Sequence, residues 1–291
     1  MNGGADRAPV LMMVHAHPDD ESSLTGGTLA RYGAAGVRTI LVTCTDGGQG
    51  DDESRDGSTA HDRQRVAARR SSELRVAAEI LGVDELIMLG YPDSGDGASL
   101  SASVAAEVFS RRAIDPLIQQ LAHIIGTCRP DVIVTYPPNG LSGHPDHIRT
   151  HDIVAAAHEK IILDAELTDD VDPKRTRQNP RLFYAVVSST RMSDLHRVAR
   201  AAHPGEVIWV PPTEMAVDDD AVTAAVDVSR FWPQKLRALA AHASQSDAAG
   251  LLNLLARADI SAASRVEEYI QVHPPPLSTV ASDLFAARTE K

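Results

Sequence analysis

The chain has only two cysteines, Cys44 and Cys128, in 291 residues. That excludes a disulfide framework and a cysteine-rich metal site. Basic residues are in deficit: 28 Lys and Arg face 40 Asp and Glu, for a formal charge of −12. An acidic chain repels phosphate backbones, so nucleic acid and anionic membranes are not expected as partners. No apolar run approaches the roughly 18 residues of a membrane span. Residues Met1 to Pro9 lack the apolar core of a secretory signal, so a cytoplasmic location is expected. No GxGxxG, Walker or GxSxG pattern occurs, which removes the main signals for nucleotide cofactors and serine hydrolases.

Histidine is abundant instead, with 12 residues, and its placement follows the predicted secondary structure. Short apolar runs predict strands at Val10 to His15, Val37 to Thr45, Glu85 to Leu89, Asp131 to Tyr136 and Leu182 to Val187. Between them, Val66, Leu74, Ala77, Ala78 and Leu81 repeat at helical spacing, as do Leu117, Leu121, Ile124 and Ile125. This alternation predicts an α/β fold: a Rossmann-like, mostly parallel sheet with helices on both faces. Polar loops at Asp46 to Ser58 and Tyr91 to Ser101 leave the carboxyl ends of strands, the rim where open α/β sheets bind ligands. Residues 8–190 are expected to form the catalytic domain. Residues 191–291 are expected to form a smaller C-terminal lobe packed on it and contributing to the substrate rim. In that lobe, Val222, Ala225 and Val226 suggest one helix, Trp232 to Ser244 a second with Pro233 in its first turn, and Glu268 to Val272 a late strand. Asp164 to Pro180 reads as a linker, and Pro274 onward as a surface tail.

Two segments carry chemistry. His15-Ala16-His17-Pro18-Asp19-Asp20-Glu21 follows the first strand, and Gly143-His144-Pro145-Asp146-His147 follows the fourth. Carboxylates and histidines crowded at a strand end are costly to desolvate, and a divalent cation offsets that cost. His17 and Asp20, three apart, can face one point while Asp19 stays free for proton transfer. His144 and His147 repeat the interval, one available to a metal and the other to substrate. In a doubly wound sheet the first and fourth strands are commonly neighbours at the switch point, which would bring both segments over one crevice. A single His-Pro-Asp is more often a capped turn; two copies on one rim point to a metal. Zinc suits these ligands, and two histidines with one carboxylate also suit Fe(II).

With AHPDDE after the first strand and GHPDH after the fourth, the chain resembles the LmbE-like (PIG-L) family of zinc-dependent N-deacetylases. The similarity is greatest to the branch of mycothiol deacetylases and mycothiol S-conjugate amidases. It spans residues 9–160 and continues weakly through Phe183-Tyr184 and Lys235 to Gln245. It implies that His17, Asp20 and His147 bind zinc (or Fe2+) and that Asp19 is the general base. It also implies that His144, oriented by Asp146, stabilises the oxyanion or protonates the leaving amine. By the same resemblance Arg70 and Asp93 contact the substrate, an N-acetylglucosamine-type sugar or glycoconjugate. Two positions depart from the relatives. Ser142 stands where the mycothiol enzymes carry a tyrosine, and Gly47-Gly48-Gln49 where Gly-Glu is usual, so a natural-product tailoring deacetylase or an S-conjugate amidase is an alternative.

Other readings of the same residues remain open. Arg70 lies with Val66 and Leu74 on the apolar stripe of its helix, where an arginine snorkels or pairs with a carboxylate. Asp93, taken alone, is a turn residue before Gly95. His151, four after His147, is either a support for the site or a packed histidine, and His242 is a candidate for the rim. A non-haem Fe(II) oxygenase and a non-catalytic metal-binding protein are the rival functions.

Overall fold

The computed structural model describes residues 7–52, 61–95, 107–167, 179–202, 210–256, 265–276 and 279–286. β1 (Val10–His15), β2 (Arg38–Thr45), β3 (Glu85–Tyr91), β4 (Val132–Thr135) and β5 (Arg181–Val186) run parallel. β7 (Val266–His273) pairs antiparallel with β5, and β6 (Ala224–Asp227) antiparallel with β7. The seven-stranded order is β3-β2-β1-β4-β5-β7-β6. The chain therefore reverses direction across the sheet between β1 and β4. Their carboxyl ends are level, with Met13 opposite Val134, so the two histidine segments leave the sheet side by side.

Alternation along the central strands builds two cores. Val10, Met12, Val14, Ile40 and Val42 pack on one face with α3 (Ile114–Cys128) and α4 (Pro145–Leu167). Leu11, Met13 and Leu41 pack on the other with α1 (Gly26–Ala34) and α2 (Arg63–Leu81). Strands buried on both faces read as continuous apolar runs for this reason. α2 begins where the Asp62 side chain accepts the Gln64 and Arg65 N–H groups and ends at Gly82 in the left-handed conformation. Its buried stripe is Val66, Arg70, Leu74, Ala77, Ala78 and Leu81, so the fourfold spacing carries Arg70 inward to the rim.

The C-terminal segment departs from its expectations in three places. Val222, Ala225 and Val226 form no helix. Ala224 and Val226 face inward while Ala225 and Asp227 alternate with them, a period of two that pairs with β7. The four-residue interval of Val222 and Val226 imitates a helical stripe. The helix from Trp232 stops at Ala241 (α5), and a further helix, Ser246–Leu255 (α6), follows it. The stretch after Pro274 is not a free tail. Ala281 bridges Ala224, Leu284 is fully buried, and the Tyr32 hydroxyl accepts the Leu284 N–H. The sheet continues across residue 190, because β7 lies directly on β5. The central part of the expected linker, 168–178, lies outside the described residues, as do parts of both polar loops.

Candidate metal centre and active site

Three atoms converge above the ends of β1 and β4. His17 Nδ1 lies 3.1 Å from His147 Nε2, and Asp20 Oδ2 lies 3.4 Å from each of them. The far nitrogen of each ring is committed as a donor. His17 Nε2 is 3.2 Å from Asp146 Oδ2, and His147 Nδ1 is 3.0 Å from the Gly140 carbonyl. With those N–H groups engaged, the near nitrogens present lone pairs, and they do so toward a carboxylate oxygen. Three acceptors this close repel one another unless a cation or proton lies between them. The edges of a tetrahedron of zinc-ligand bonds are about 3.3 Å, so the set fits a divalent ion. The same demand shows in the titration of His17. Burial pulls its pKa down, but the carboxylates of Asp93, Asp146 and Asp20 outweigh burial and hold it well above the ordinary histidine value. Burial opposes ionisation of Asp20 as well, yet His147 and His17 keep its pKa well below the usual range.

Local backbone fixes the donors. Gly140 has φ +67°, and a Cβ there would meet Ile148 N at 2.8 Å, so only glycine brings this carbonyl to His147. Asp146, at the start of α4, is fully buried, and its carboxylate accepts from Ser94 N and Ser94 Oγ as well as from His17. Asp146 also meets His144, but not through this carboxylate. What reaches the Nδ1 of His144 is the Asp146 backbone N–H, at 3.1 Å. The bond leaves the proton of His144 on Nε2. Burial, reinforced by His17 and His147, lowers the His144 pKa to about 4, so the ring is a neutral N–H donor at neutral pH. Its ring nitrogen lies within 4.8 Å of those of His17 and His147.

Asp19 stands beside the cluster in a strained backbone, at φ +123°. Its N–H donates to Glu21 Oε2 and its carbonyl accepts from Ser22 and Ser23. Arg70 Nη2 donates to Asp19 Oδ2 at 2.9 Å and to the Pro18 carbonyl, while Nη1 donates to the Gly47 carbonyl. Burial raises the Asp19 pKa and Arg70 draws it back, to a net value of about 6. Of the two residues expected to touch substrate, Arg70 thus commits both Nη groups to Asp19 and two carbonyls, and its buried Nε has no partner. Asp93 is also occupied. It accepts from Gln49 N and Gly95 N, lies 3.6 Å from His17 Nε2, and its pKa is lowered mainly by His17 against the opposing effect of burial. Both line the cavity of 650 Å3 that opens over the cluster.

Sequence reasoning missed Tyr136 as a support, while His151 and His242 were among its candidates. The Tyr136 hydroxyl donates to Asp20 Oδ2 at 2.7 Å and accepts the Ala16 N–H, and its ring stacks on His147 at 4.3 Å. An aromatic hydroxyl as the first residue past β4 was the available signal. His242 is fully buried and lies 2.8 Å from Glu21 Oε1, so it steadies the carboxylate that holds the Asp19 N–H. His151 is tied to the Tyr136 carbonyl. Ser142 is exposed, 3.4 Å from His147 Nδ1. Replacing Tyr136 with Phe removes one hydrogen bond from Asp20 and leaves the Ala16 N–H without its acceptor. Metal affinity is expected to fall about 10–100-fold, as measured by competition with a chromophoric chelator. Unchanged affinity would mean that the hydroxyl does not hold Asp20.

The matching sequence family covers the convergent ligand atoms, Asp19 and His144: residues 12–158 match the PIG-L family, described as GlcNAc-PI de-N-acetylase. The chain belongs to the PIG-L family. Among its relatives are two enzymes named 1D-myo-inositol 2-acetamido-2-deoxy-alpha-D-glucopyranoside deacetylase. That of Thermobifida fusca is 36% identical over 91% of this chain and 93% of the relative. That of Mycobacteroides abscessus is 32% identical over 95% and 97%. Among solved structures, the N,N'-diacetylchitobiose deacetylase of Pyrococcus horikoshii aligns with a TM-score of 0.60 at 19% identity, covering 93% of this chain and 88% of that one. A 4-carboxy-2-hydroxymuconate hydratase of Pseudomonas putida aligns with the same TM-score at 17% identity, covering 94% and 100%. At such identities the likeness is one of fold, and a hydratase and a deacetylase share it. The reaction of this PIG-L member must therefore be argued from its site.

Proposed function

We propose that this PIG-L protein is a zinc-dependent N-deacetylase acting on an N-acetylglucosamine-type glycoconjugate. The observation that carries the reading is a carboxylate with a pKa near neutrality, Asp19, beside three convergent metal-ligand atoms. His17 Nδ1, Asp20 Oδ2 and His147 Nε2 would hold the ion. A bound zinc ion would supply Lewis acidity to the acyl oxygen and to the attacking water.

The remaining steps belong to the side chains. Asp19 takes a proton from the water as its oxygen bonds to the acyl carbon. His144 Nε2–H donates to the oxygen that gains negative charge. The C–N bond then breaks, and the proton held by Asp19 passes to the departing amine, leaving acetate and a free amino sugar. A neutral His144 suits the donor role better than that of a proton source. Arg70 acts as the positioning group for Asp19, and Asp146 for His17. The chain beyond residue 190 supplies much of the cavity wall, including Arg191, Leu239 and Leu251.

Amine release from N-acetylglucosaminyl-inositol tests the reading. Chelator-stripped protein is expected to release none, and refilling with zinc to restore release, with Fe(II) as the comparison. Stoichiometric metal without amine release from any N-acetylated amino sugar would overturn it.

A further inference from the structure

Asp19 is held at two points, its carboxylate and its backbone. Arg70 takes the carboxylate at 2.9 Å. The backbone is harder to hold, because an aspartate keeps φ +123° only when its surroundings impose it. Its N–H donates to Glu21 Oε2 at 3.0 Å. Glu21 is fully buried, and its other oxygen, Oε1, accepts from Ser22 Oγ at 2.5 Å and from His242 Nε2 at 2.8 Å. Ser22 is the neighbour of Glu21 and moves with it. His242 reaches in from 221 positions away, at the end of α5. It is fully buried, and its Nδ1 has no hydrogen-bond partner among the described residues. The ring is therefore anchored in this direction alone, toward Glu21. Lys235, seven residues earlier on α5, holds the Ser23 carbonyl at 2.8 Å. One helix thus grips the segment after Asp19 at two points.

Stability alone does not account for the Glu21–His242 contact. Buried pairs of this kind can commonly be replaced by apolar side chains without loss of stability. What an apolar residue at position 21 would not supply is an acceptor for the Asp19 N–H. We propose that His242 is a positioning residue for the general base. It fixes the Glu21 carboxylate, and Glu21 holds the backbone from which the Asp19 carboxylate projects. The proposal rests on the deacetylase reading for the role of Asp19. His242 lies beyond residues 12–158, which match the PIG-L family, so a side chain outside the matched segment sets the base within it.

Two replacements of similar size separate the hydrogen bond from the packing. Methionine occupies the site of His242 without a donor, and glutamine returns an N–H near the position of Nε2. In zinc-loaded His242→Met, kcat for amine release from N-acetylglucosaminyl-inositol is expected to fall about 10–100-fold, the scale set by a misplacement of about 1 Å. KM and bound zinc are expected to stay at wild-type values, since His242 is bonded to none of the three convergent ligand atoms. His242→Gln is expected to recover most of the loss. A second readout needs no turnover. The Asp19 amide is expected to exchange its hydrogen about tenfold faster in His242→Met, as its acceptor is no longer fixed, and at close to the wild-type rate in His242→Gln. Glu21→Gln keeps the side-chain shape, weakens the hold on the Asp19 N–H and lowers kcat. Adding His242→Met to it lowers kcat little further, because both act through one contact.

Wild-type kcat and amide exchange in His242→Met overturn the proposal. So do equal losses in the Met and Gln variants, or a fall in kcat that accompanies lost zinc, since either marks a packing role. Should His242→Met not fold, Glu21→Gln decides by the same readouts, and unchanged kcat with unchanged Asp19 exchange overturns the proposal. If zinc-loaded wild type releases no amine, the deacetylase reading fails, and exchange of the Asp19 amide alone decides whether His242 holds that backbone.

Discussion

Asp19→Asn lowers kcat by about 10²–10⁴-fold, the usual contribution of a positioned general base. Asparagine is the informative replacement. It keeps the shape of the side chain, still offers an oxygen to Arg70, and tolerates the left-handed backbone better than most residues. It cannot accept a proton from water. Metal content, measured by atomic emission, is expected to stay at one ion per chain, because Asp19 is not among the three convergent ligand atoms. Full turnover in this variant would remove Asp19 from the role of base. The same carboxylate sets a pH limb. With its pKa raised by burial to about 6, Asp19 is ionised and competent above that value. In the wild type, kcat/KM should therefore rise with pH through about 6 and level off above it. His144, neutral above about 4, adds no second limb near neutrality.

Lys235→Met is expected to cost about 3–5 kcal/mol of folding stability, since it removes one partner of a buried ion pair. Lys235 Nζ lies 2.6 Å from Glu267 Oε1, and both side chains are 2% exposed. The pair reaches the active site through the backbone. Lys235 also donates to the Ser23 carbonyl, and Glu267 takes the first free N–H groups of α1, those of Gly27 and Thr28. Together they clamp the segment that begins at Asp19. In the variant, Glu267 keeps its two backbone donors, which places the loss toward the lower end of the range. The variant also carries a sign that can be read. An unpaired buried carboxylate has a raised pKa, and protonation neutralises it. The deficit in chemical denaturation should therefore shrink as pH is lowered, and Glu267→Gln in the Lys235→Met background should recover part of it. A deficit that is constant with pH and unrelieved by Glu267→Gln would point to lost packing instead.

The parallel half of the fold was legible because its signals are local. β1 to β5 are apolar runs of the right length, and α2 announces itself through its stripe. β6 was misread because a four-residue strand gives a window too short to separate period two from period four. The tail was misread because the apolar run from Leu284 is short, and the burial of Leu284 and Phe285 depends on Tyr32, far away in the chain. In the site, the residue types and their spacing made a convergence of His17, Asp20 and one of His144 and His147 legible, and the family resemblance selected His147. The partner of each ligand was not legible. Asp146 serves His17 across 129 positions, and Tyr136 serves Asp20 across 116.

By itself, the sequence determined the order of strands and helices through β5 and the two His-Pro-Asp segments at strand ends, and hence a His and Asp cluster on the sheet rim that could hold a metal. Those follow from periodicity and from neighbours within a few residues. The tertiary structure decided that β7 completes the sheet beside β5, that Arg70 serves Asp19, and that Glu21 is held by His242. These are pairings between groups far apart in the chain, and their energies arise only when folding removes water from both partners.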